Sequence, residues 1–330
     1  MKAKNLVPII LLFFYSEHTY SQNTKKMEEF KNPLLCDPEV GMCEVPGTKD
    51  DSAAFVMLNK IEKPVKLIYF TDPICSSCWG IEPALRKFKL EYGHDVEIEY
   101  RMGGLLPDWS YNSGGISKPS DVAHHWDEVS VHYDMPIDGD VWLVDPLHSS
   151  YPPSIAFKAA QIQDKEKAIL FLREIREMVF LEKKNIAKME YLVEAAKKVE
   201  LDIEKFKSDY DTKAKELFND DLKLAKEMGV RGFPTMFFTD SNGNREIVYG
   251  TKPYASYEAG LLKIYSDVKK KQYDQGYESL FKKYNSLTAR EYSELSGVKR
   301  VEAEQALEEL VVLGKLEKFN TKNGAIWRVK

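Results

Sequence analysis

Four cysteines are the residues of this chain best suited to chemistry, and Cys36, Cys43, Cys75 and Cys78 all fall in the first quarter of its 330 residues. So few cannot staple a chain of this length, which points to reactive rather than scaffolding sulfur. The sharpest feature is Cys75-Ser76-Ser77-Cys78, which follows the strand pattern 66–71 and its Asp72-Pro73 stop and opens a stretch of helical spacing over 78–92. At a strand-to-helix junction the first sulfur meets unpaired backbone N–H groups and the positive end of the helix dipole, and both favour thiolate over thiol. Cys75 is therefore the expected nucleophile, exposed at the helix tip. Cys78, one turn further in, is placed to close on it in a dithiol–disulfide cycle. A zinc site would need two more ligands, and the six residues between Cys36 and Cys43 do not match a zinc knuckle, so no metal is expected.

A second feature, Val230-Arg231-Gly232-Phe233-Pro234-Thr235, directly precedes a strand pattern. A cis Phe233–Pro234 bond would turn the chain sharply and leave neighbouring backbone groups free to pair with an incoming extended peptide; an ordinary trans proline opening a strand is the plainer alternative. Three smaller questions surround the pair. Asp72 is either a proton relay to Cys78 or a cap on the coming helix. Cys36 and Cys43 either close a small structural disulfide loop or exchange electrons with Cys75. Glu82 reads as a first-turn dipole partner, and His124, His125, His132 and His148 have the spacing of surface and packing residues rather than ligands.

These residues need elements to position them. Strand patterns at 55–58, 66–71 and 96–100 flank the helix 78–92, giving strand, helix, strand. Helical spacing then recurs at 121–133, 155–163, 165–181, 189–199, 203–209 and 213–228 with no intervening strand, so a helical block is inserted between sheet elements. A hairpin at 235–239 and 246–249, turning on Asn242-Gly243, and a helix over 254–270 complete the sheet. Beyond the lysine-rich linker 269–271, residues 276–330 read as helix, turn, helix and hairpin, a winged-helix pattern. That segment carries ten basic and eight acidic side chains, but its second helix bears Glu302, Glu304, Glu308 and Glu309, which repel phosphate. A protein-interaction module is expected there, and DNA is not. The domain map is thus a cysteine-containing strap over 22–53, a two-part α/β domain over 54–117 and 226–270, an inserted helical domain over 118–225, and the terminal unit over 276–330.

Together the CxxC and Gly-Phe-Pro-Thr elements resemble the thioredoxin fold, and the helical insertion resembles the DsbA-like thiol-disulfide oxidoreductases. Phe70-Thr-Asp-Pro-Ile-Cys-Ser-Ser-Cys-Trp79 is similar to the branch that includes FrnE-type proteins and SpxH-type protease adaptors, as are Val122-Ala-His-His-Trp126, Asp145-Pro146 and Ser149-Ser-Tyr-Pro-Pro-Ser154. The likeness spans about residues 32–270. It implies Cys75 as attacking sulfur, Cys78 as resolving sulfur and Pro234 as a cis proline beside them, with Phe233 positioning substrate. Ser76 and Ser77 depart from the Pro-His pair common in DsbA itself, and without a histidine's positive charge Cys75 should be less acidic and the pair less oxidising.

Composition narrows the function further. Hydrophobic residues at 43% and aromatics at 12% exclude a disordered chain, charged residues at 30% exclude a multi-span membrane protein, and a net charge of -5 gives no general attraction for nucleic acid. Lys2 and Lys4 precede the apolar run 6–15 and a small-residue c-region, the layout of a signal peptide over 1–21 that implies export to the periplasm, with no transmembrane anchor. Translation from Met27 would instead leave the protein cytoplasmic. The expectation is an exported thiol-disulfide oxidoreductase or isomerase, acting on protein or peptide thiols and disulfides with a redox partner and no external cofactor. The alternatives are an SpxH-type adaptor or a redox-sensing interaction protein that uses the same fold as a docking surface.

Overall fold

Seven consecutive buried residues, Val65–Thr71, form the central strand β3. Apart from Lys66, which pairs with Glu99, and Thr71 at its end, the run is apolar, as suits a strand covered on both faces. The computed structural model describes residues 36–37, 41–44, 63–110 and 118–330. The strand pattern at 55–58 and the signal-peptide segment lie outside them.

In chain order the elements begin with β1 (Cys36–Asp37) and β2 (Met42–Glu44), followed by β3, α1 (Ser76–Gly80), α2 (Glu82–Tyr92) and β4 (Val96–Met102). Helices α3 (Pro119–Tyr133), α4 (Val141–Val144), α5 (Tyr151–Gln163), α6 (Lys165–Phe180), α7 (Met189–Lys198), α8 (Ile203–Asp211) and α9 (Lys213–Glu227) then follow without a strand. The chain returns through β5 (Gly232–Phe233), β6 (Thr235–Asp240), β7 (Arg245–Tyr249) and α10 (Tyr254–Ile264). It ends in α11 (Tyr277–Lys283), β8 (Ser286–Thr288), α12 (Ala289–Ser296), α13 (Arg300–Val312), β9 (Leu316–Thr321) and β10 (Gly324–Val329).

The main sheet runs β4-β3-β6-β7. β3 pairs in parallel with β4 and antiparallel with β6, and β6 pairs antiparallel with β7. This is an α/β thioredoxin-like sheet whose two halves are separated by the helical insertion. Its core continues into the insertion through Trp79, Trp126, Trp142 and Phe180, all buried. A second apolar cluster, centred on Leu287, Leu295, Leu307 and Trp327, fills the terminal unit, whose small sheet runs β8-β10-β9.

Two helices differ from the sequence expectation. The helix expected over 78–92 is broken at Ile81, because Pro83 has no N–H to donate and its ring obstructs the carbonyl of Trp79. The helix expected to reach residue 270 stops at Ile264; the chain then runs back along α2, where the Lys271 amide donates to the Glu91 carbonyl and Lys270 pairs with Glu91 and Glu258. By contrast, α12 has the ends its sequence advertises. Thr288 and Glu291 form a capping box at its start, and Gly297 at φ +76° closes it.

Candidate functional site

The end of β3 delivers Cys75 to the N-cap of α1, where its sulfur accepts a hydrogen bond from the Cys78 amide at 3.1 Å. Asp72 prepares that turn. Its backbone carbonyl accepts from the Cys75 amide and one carboxylate oxygen accepts from the Ile74 amide. The other accepts from the Leu105 amide at 2.8 Å and the Ser150 hydroxyl at 2.9 Å. Both carboxylate oxygens are thus occupied by groups other than the thiols. Burial raises the Asp72 carboxyl to about 6, against the pull of those hydrogen bonds.

Cys75 and Cys78 are free thiols, and neither has any solvent exposure. The sequence places the first sulfur in the open at a helix tip; the structure covers it. Burial pushes the Cys75 thiol above its ordinary value, its contact with Cys78 adds to the rise, and the Cys78 amide only partly opposes it. Cys78 shifts the other way, because its hydrogen bond with Cys75 and the charge of Arg176 outweigh burial. The acidic member of the pair is therefore Cys78, a reversal of the order expected from the helix dipole alone.

Arg176 was not singled out by the sequence. Its guanidinium donates to Glu82 at 2.6 Å, to the Thr71 hydroxyl at 2.6 Å and to the Asp72 carbonyl at 3.3 Å, and is 1% exposed. The signal was available in α6: Arg176 falls four residues after buried Leu172, on the apolar stripe, where a charge must find a buried partner. Glu82 sits in the first turn of α2, as expected of a dipole partner, and is also the counter-ion of Arg176 and of Arg86.

What covers Cys75 is the chain's own strap. The Phe233–Pro234 peptide is cis, and the backbone beside it is already paired: β2 lies antiparallel to β5, with Cys43 opposite Phe233 and Glu44 opposite Gly232. The Cys43 sulfur lies 3.3 Å from the Cys75 sulfur. Cys43 is disulfide-bonded, and β1 sets Cys36 directly opposite it in register. The Phe233 ring packs against Gly103, where an added Cβ would come within 1.8 Å of it. The edge expected to await an incoming peptide thus holds residues 43 and 44 of the same chain.

A strand-to-helix CxxC facing a cis proline, on a sheet interrupted by helices, defines a thioredoxin-like protein of the DsbA type. The thioredoxin family model matches residues 69–259, and the chain belongs to that family. Its curated relatives are named ClpXP adapter protein SpxH. That of Halalkalibacterium halodurans is 35% identical over 92% of this chain and 99% of its own length, and that of Shouchella clausii is 30% identical over 89% and 96%. The Bacillus subtilis relative is 29% identical over 81% of this chain and 90% of its own. Among solved structures, a candidate protein disulfide isomerase from Nitrosomonas europaea superposes with a TM-score of 0.53 at 20% identity, covering 61% of this chain and 97% of its own, which speaks to fold alone.

These relatives correct three expectations. The exported oxidoreductase or isomerase is overturned as a function, and with it the assignment as an enzyme, because the proteins matched over most of the chain are named as adapters. The physical reason is visible in the site, where the expected nucleophile is buried beneath the strap. The periplasmic location falls as well, since these relatives are named for ClpXP rather than for an exported activity. Among the described residues no helix is long and apolar enough to cross a membrane.

Proposed function

We propose that this chain is a cytoplasmic adapter that brings protein clients to a ClpXP-type protease, with the thioredoxin-like body as its rigid docking scaffold. The observation that carries this reading is the end-to-end match to the Halalkalibacterium halodurans adapter, 35% identical across 99% of that protein. The buried sulfur pair supports it, because a scaffold has no need of an exposed nucleophile. In this reading the body comprises residues 54–117 and 226–270 with the helical insertion 118–225.

Residues 276–330 serve as a winged-helix-type interaction module. Its α13 exposes Val301 and Val312, and the C-cap exposes Leu313, beside Glu302, Glu304, Glu308 and Glu309, an apolar and acidic surface suited to protein rather than to phosphate.

The test compares proteome turnover in cells lacking this chain with that in cells lacking ClpX. A shared set of stabilised proteins is expected, restored to normal turnover by a chain carrying Cys75→Ser and Cys78→Ser. Purified ClpX should bind the full chain directly. Absence of both a shared set and ClpX binding overturns the reading.

A further inference from the structure

Thiols and a disulfide meet in one buried place. The Cys43 and Cys75 sulfurs are 3.3 Å apart and neither side chain is exposed, a separation in the range of about 3–3.5 Å at which reacting atoms stand ready. Cys43 is disulfide-bonded, whereas Cys75 and Cys78 are free. The site therefore holds an electrophile, an attacking thiol and a resolving thiol together.

The approach is built into the backbone on both sides of Cys43. Gly41, at φ +69°, accepts a hydrogen bond from the Thr251 amide, and a Cβ at that position would fall 2.7 Å from the Thr251 carbonyl oxygen. Gly232 lies so close to the strap that a Cβ would come within 2.5 Å of the Cys43 carbonyl oxygen. Only glycine at these two positions lets the strap lie this deep. The Thr251 hydroxyl also donates to the Ser77 carbonyl at 3.4 Å, tying the anchor of the strap to the CxxC turn.

We propose that Cys75 and Cys78 exchange disulfide with the chain's own strap, moving the cross-link from Cys36–Cys43 to Cys75–Cys78. In the first step the Cys75 sulfur attacks the Cys43 sulfur and its proton passes to the departing Cys36 sulfur. The Cys43–Cys75 bond forms, the Cys36–Cys43 bond breaks, and Cys36 leaves as a thiol. In the second step the Cys78 sulfur attacks the Cys75 sulfur and its proton passes to the departing Cys43 sulfur, so that the Cys75–Cys78 bond forms, the Cys43–Cys75 bond breaks and Cys43 leaves as a thiol. One disulfide and two unbonded sulfurs exist before and after, so the exchange is an isomerisation that needs no outside oxidant or reductant. The greater acidity of Cys78 eases the loss of its proton in the second step, whereas the raised Cys75 thiol makes the first step the slower one. Its consequence is mechanical: β1 is unstapled from β2, and the strap stays on β5 by backbone pairing alone.

This exchange goes beyond the adapter reading and does not depend on it. The test uses the purified full-length chain, isolated with its strap disulfide formed, incubated at neutral pH without oxidant, quenched with N-ethylmaleimide and mapped by non-reducing peptide mass spectrometry. Cys78→Ser removes the resolving sulfur, so the Cys43–Cys75 cross-linked peptide should rise by about tenfold or more over wild type. In wild type, a Cys75–Cys78 peptide should appear while the total free-thiol count stays constant. That second readout stands even where the variant does not fold. If Cys75 is recovered only as an alkylated thiol in both chains, with Cys43 still in its original disulfide, the proposal is overturned. No readout involves a protease, so failure here and failure of the adapter reading are separable.

Discussion

Removing the Glu291 carboxylate should loosen the terminal unit from the body by an amount the structure allows to be worked out. Glu291 has no exposed surface; it takes two hydrogen bonds from the Arg173 guanidinium at 2.8 and 3.0 Å and faces Arg86 at 3.3 Å. It also accepts from the Thr288 amide at 2.7 Å, closing the cap of α12. Breaking a buried pair by removing one partner costs about 3–5 kcal/mol, and loss of a cap about 1 kcal/mol. Arg173 keeps Glu177 at 2.7 Å and the Trp79 ring at 4.4 Å, and Arg86 keeps Glu82 at 3.5 Å, so neither cation is stranded. The lower bound for the pair then applies, and with the cap Glu291→Ala should lose about 4 kcal/mol, with Glu291→Gln losing about half of that through weaker, uncharged hydrogen bonds. The assay is urea unfolding followed by tryptophan fluorescence, since Trp327 lies in the core of the terminal unit and Trp79 beneath Arg173. A double-mutant cycle with Arg173→Met isolates the pairwise coupling. The Glu291 carboxyl is held below its ordinary 4.5, since Arg173 and Arg86 overcome burial. The stability it contributes is therefore present above that value and is lost as pH falls through the lower folded one. A loss under about 0.5 kcal/mol in Glu291→Ala, with no measurable coupling to Arg173, would refute the idea that this ion cluster holds the two parts together.

Two further perturbations address the site. Gly232→Ala places a methyl group 2.5 Å from the Cys43 carbonyl oxygen and should lift the strap, increasing the rate of maleimide modification of Cys75 by about tenfold or more; an unchanged rate would show that the strap does not shield that sulfur. Burial raises Asp72 from 3.8 to about 6, so the folded state holds its proton more tightly and stability is lost as pH rises through that window. At 1.36 kcal/mol per unit the full effect is about 3 kcal/mol, of which about 2 kcal/mol falls between about pH 4.5 and about pH 7.5. The stability difference between Asp72→Asn and wild type should move by that amount in favour of the variant over this range, the fixed cost of a misdirected amide cancelling. A difference independent of pH would exclude the raised carboxyl.

Local rules made most of the fold readable. β3 is buried along its whole length and mostly apolar, α12 is bounded by Thr288 and Gly297, and the β6–β7 hairpin turns within the Ser241-Asn-Gly-Asn244 stretch. Each signal is contained within a few neighbouring residues. The errors came where distant parts of the chain meet. The exposure of Cys75 depends on a strap whose Cys43 lies 32 residues upstream and whose seat is on β5. The helix dipole favours thiolate at an open helix tip, but dehydration of the Cys75 sulfur and the Arg176 charge beside Cys78 reverse the order of acidity. Arg176 itself arrives from α6, and no local pattern says that its guanidinium reaches the end of β3. Function failed for a related reason: the CxxC motif and the cis proline specify a fold and a place for chemistry, while what the place is used for depends on what covers it.

The same helix serves both halves of the molecule. From α6, Arg176 turns toward the cysteine pair and Arg173, one turn earlier, toward the terminal unit. A continuous run of ion pairs connects them: Arg176 to Glu82 at 2.6 Å, Glu82 to Arg86 at 3.5 Å, Arg86 to Glu291 at 3.3 Å, and Glu291 to Arg173 at 2.8 Å. Contiguity of this kind does not by itself transmit anything; coupling requires an element with two discrete arrangements whose balance both ends affect. The cysteine cluster supplies such an element under disulfide exchange, because closing Cys75–Cys78 removes the acidic thiol that faces Arg176. Arg176 would then lose that ionisable neighbour and rely more heavily on Glu82, which Arg86 shares. The seating of the terminal unit and the redox state of the buried pair thus draw on one set of charges, and the Arg173–Glu291 coupling energy measured with each form of the cross-link is the quantity that reports whether they are linked.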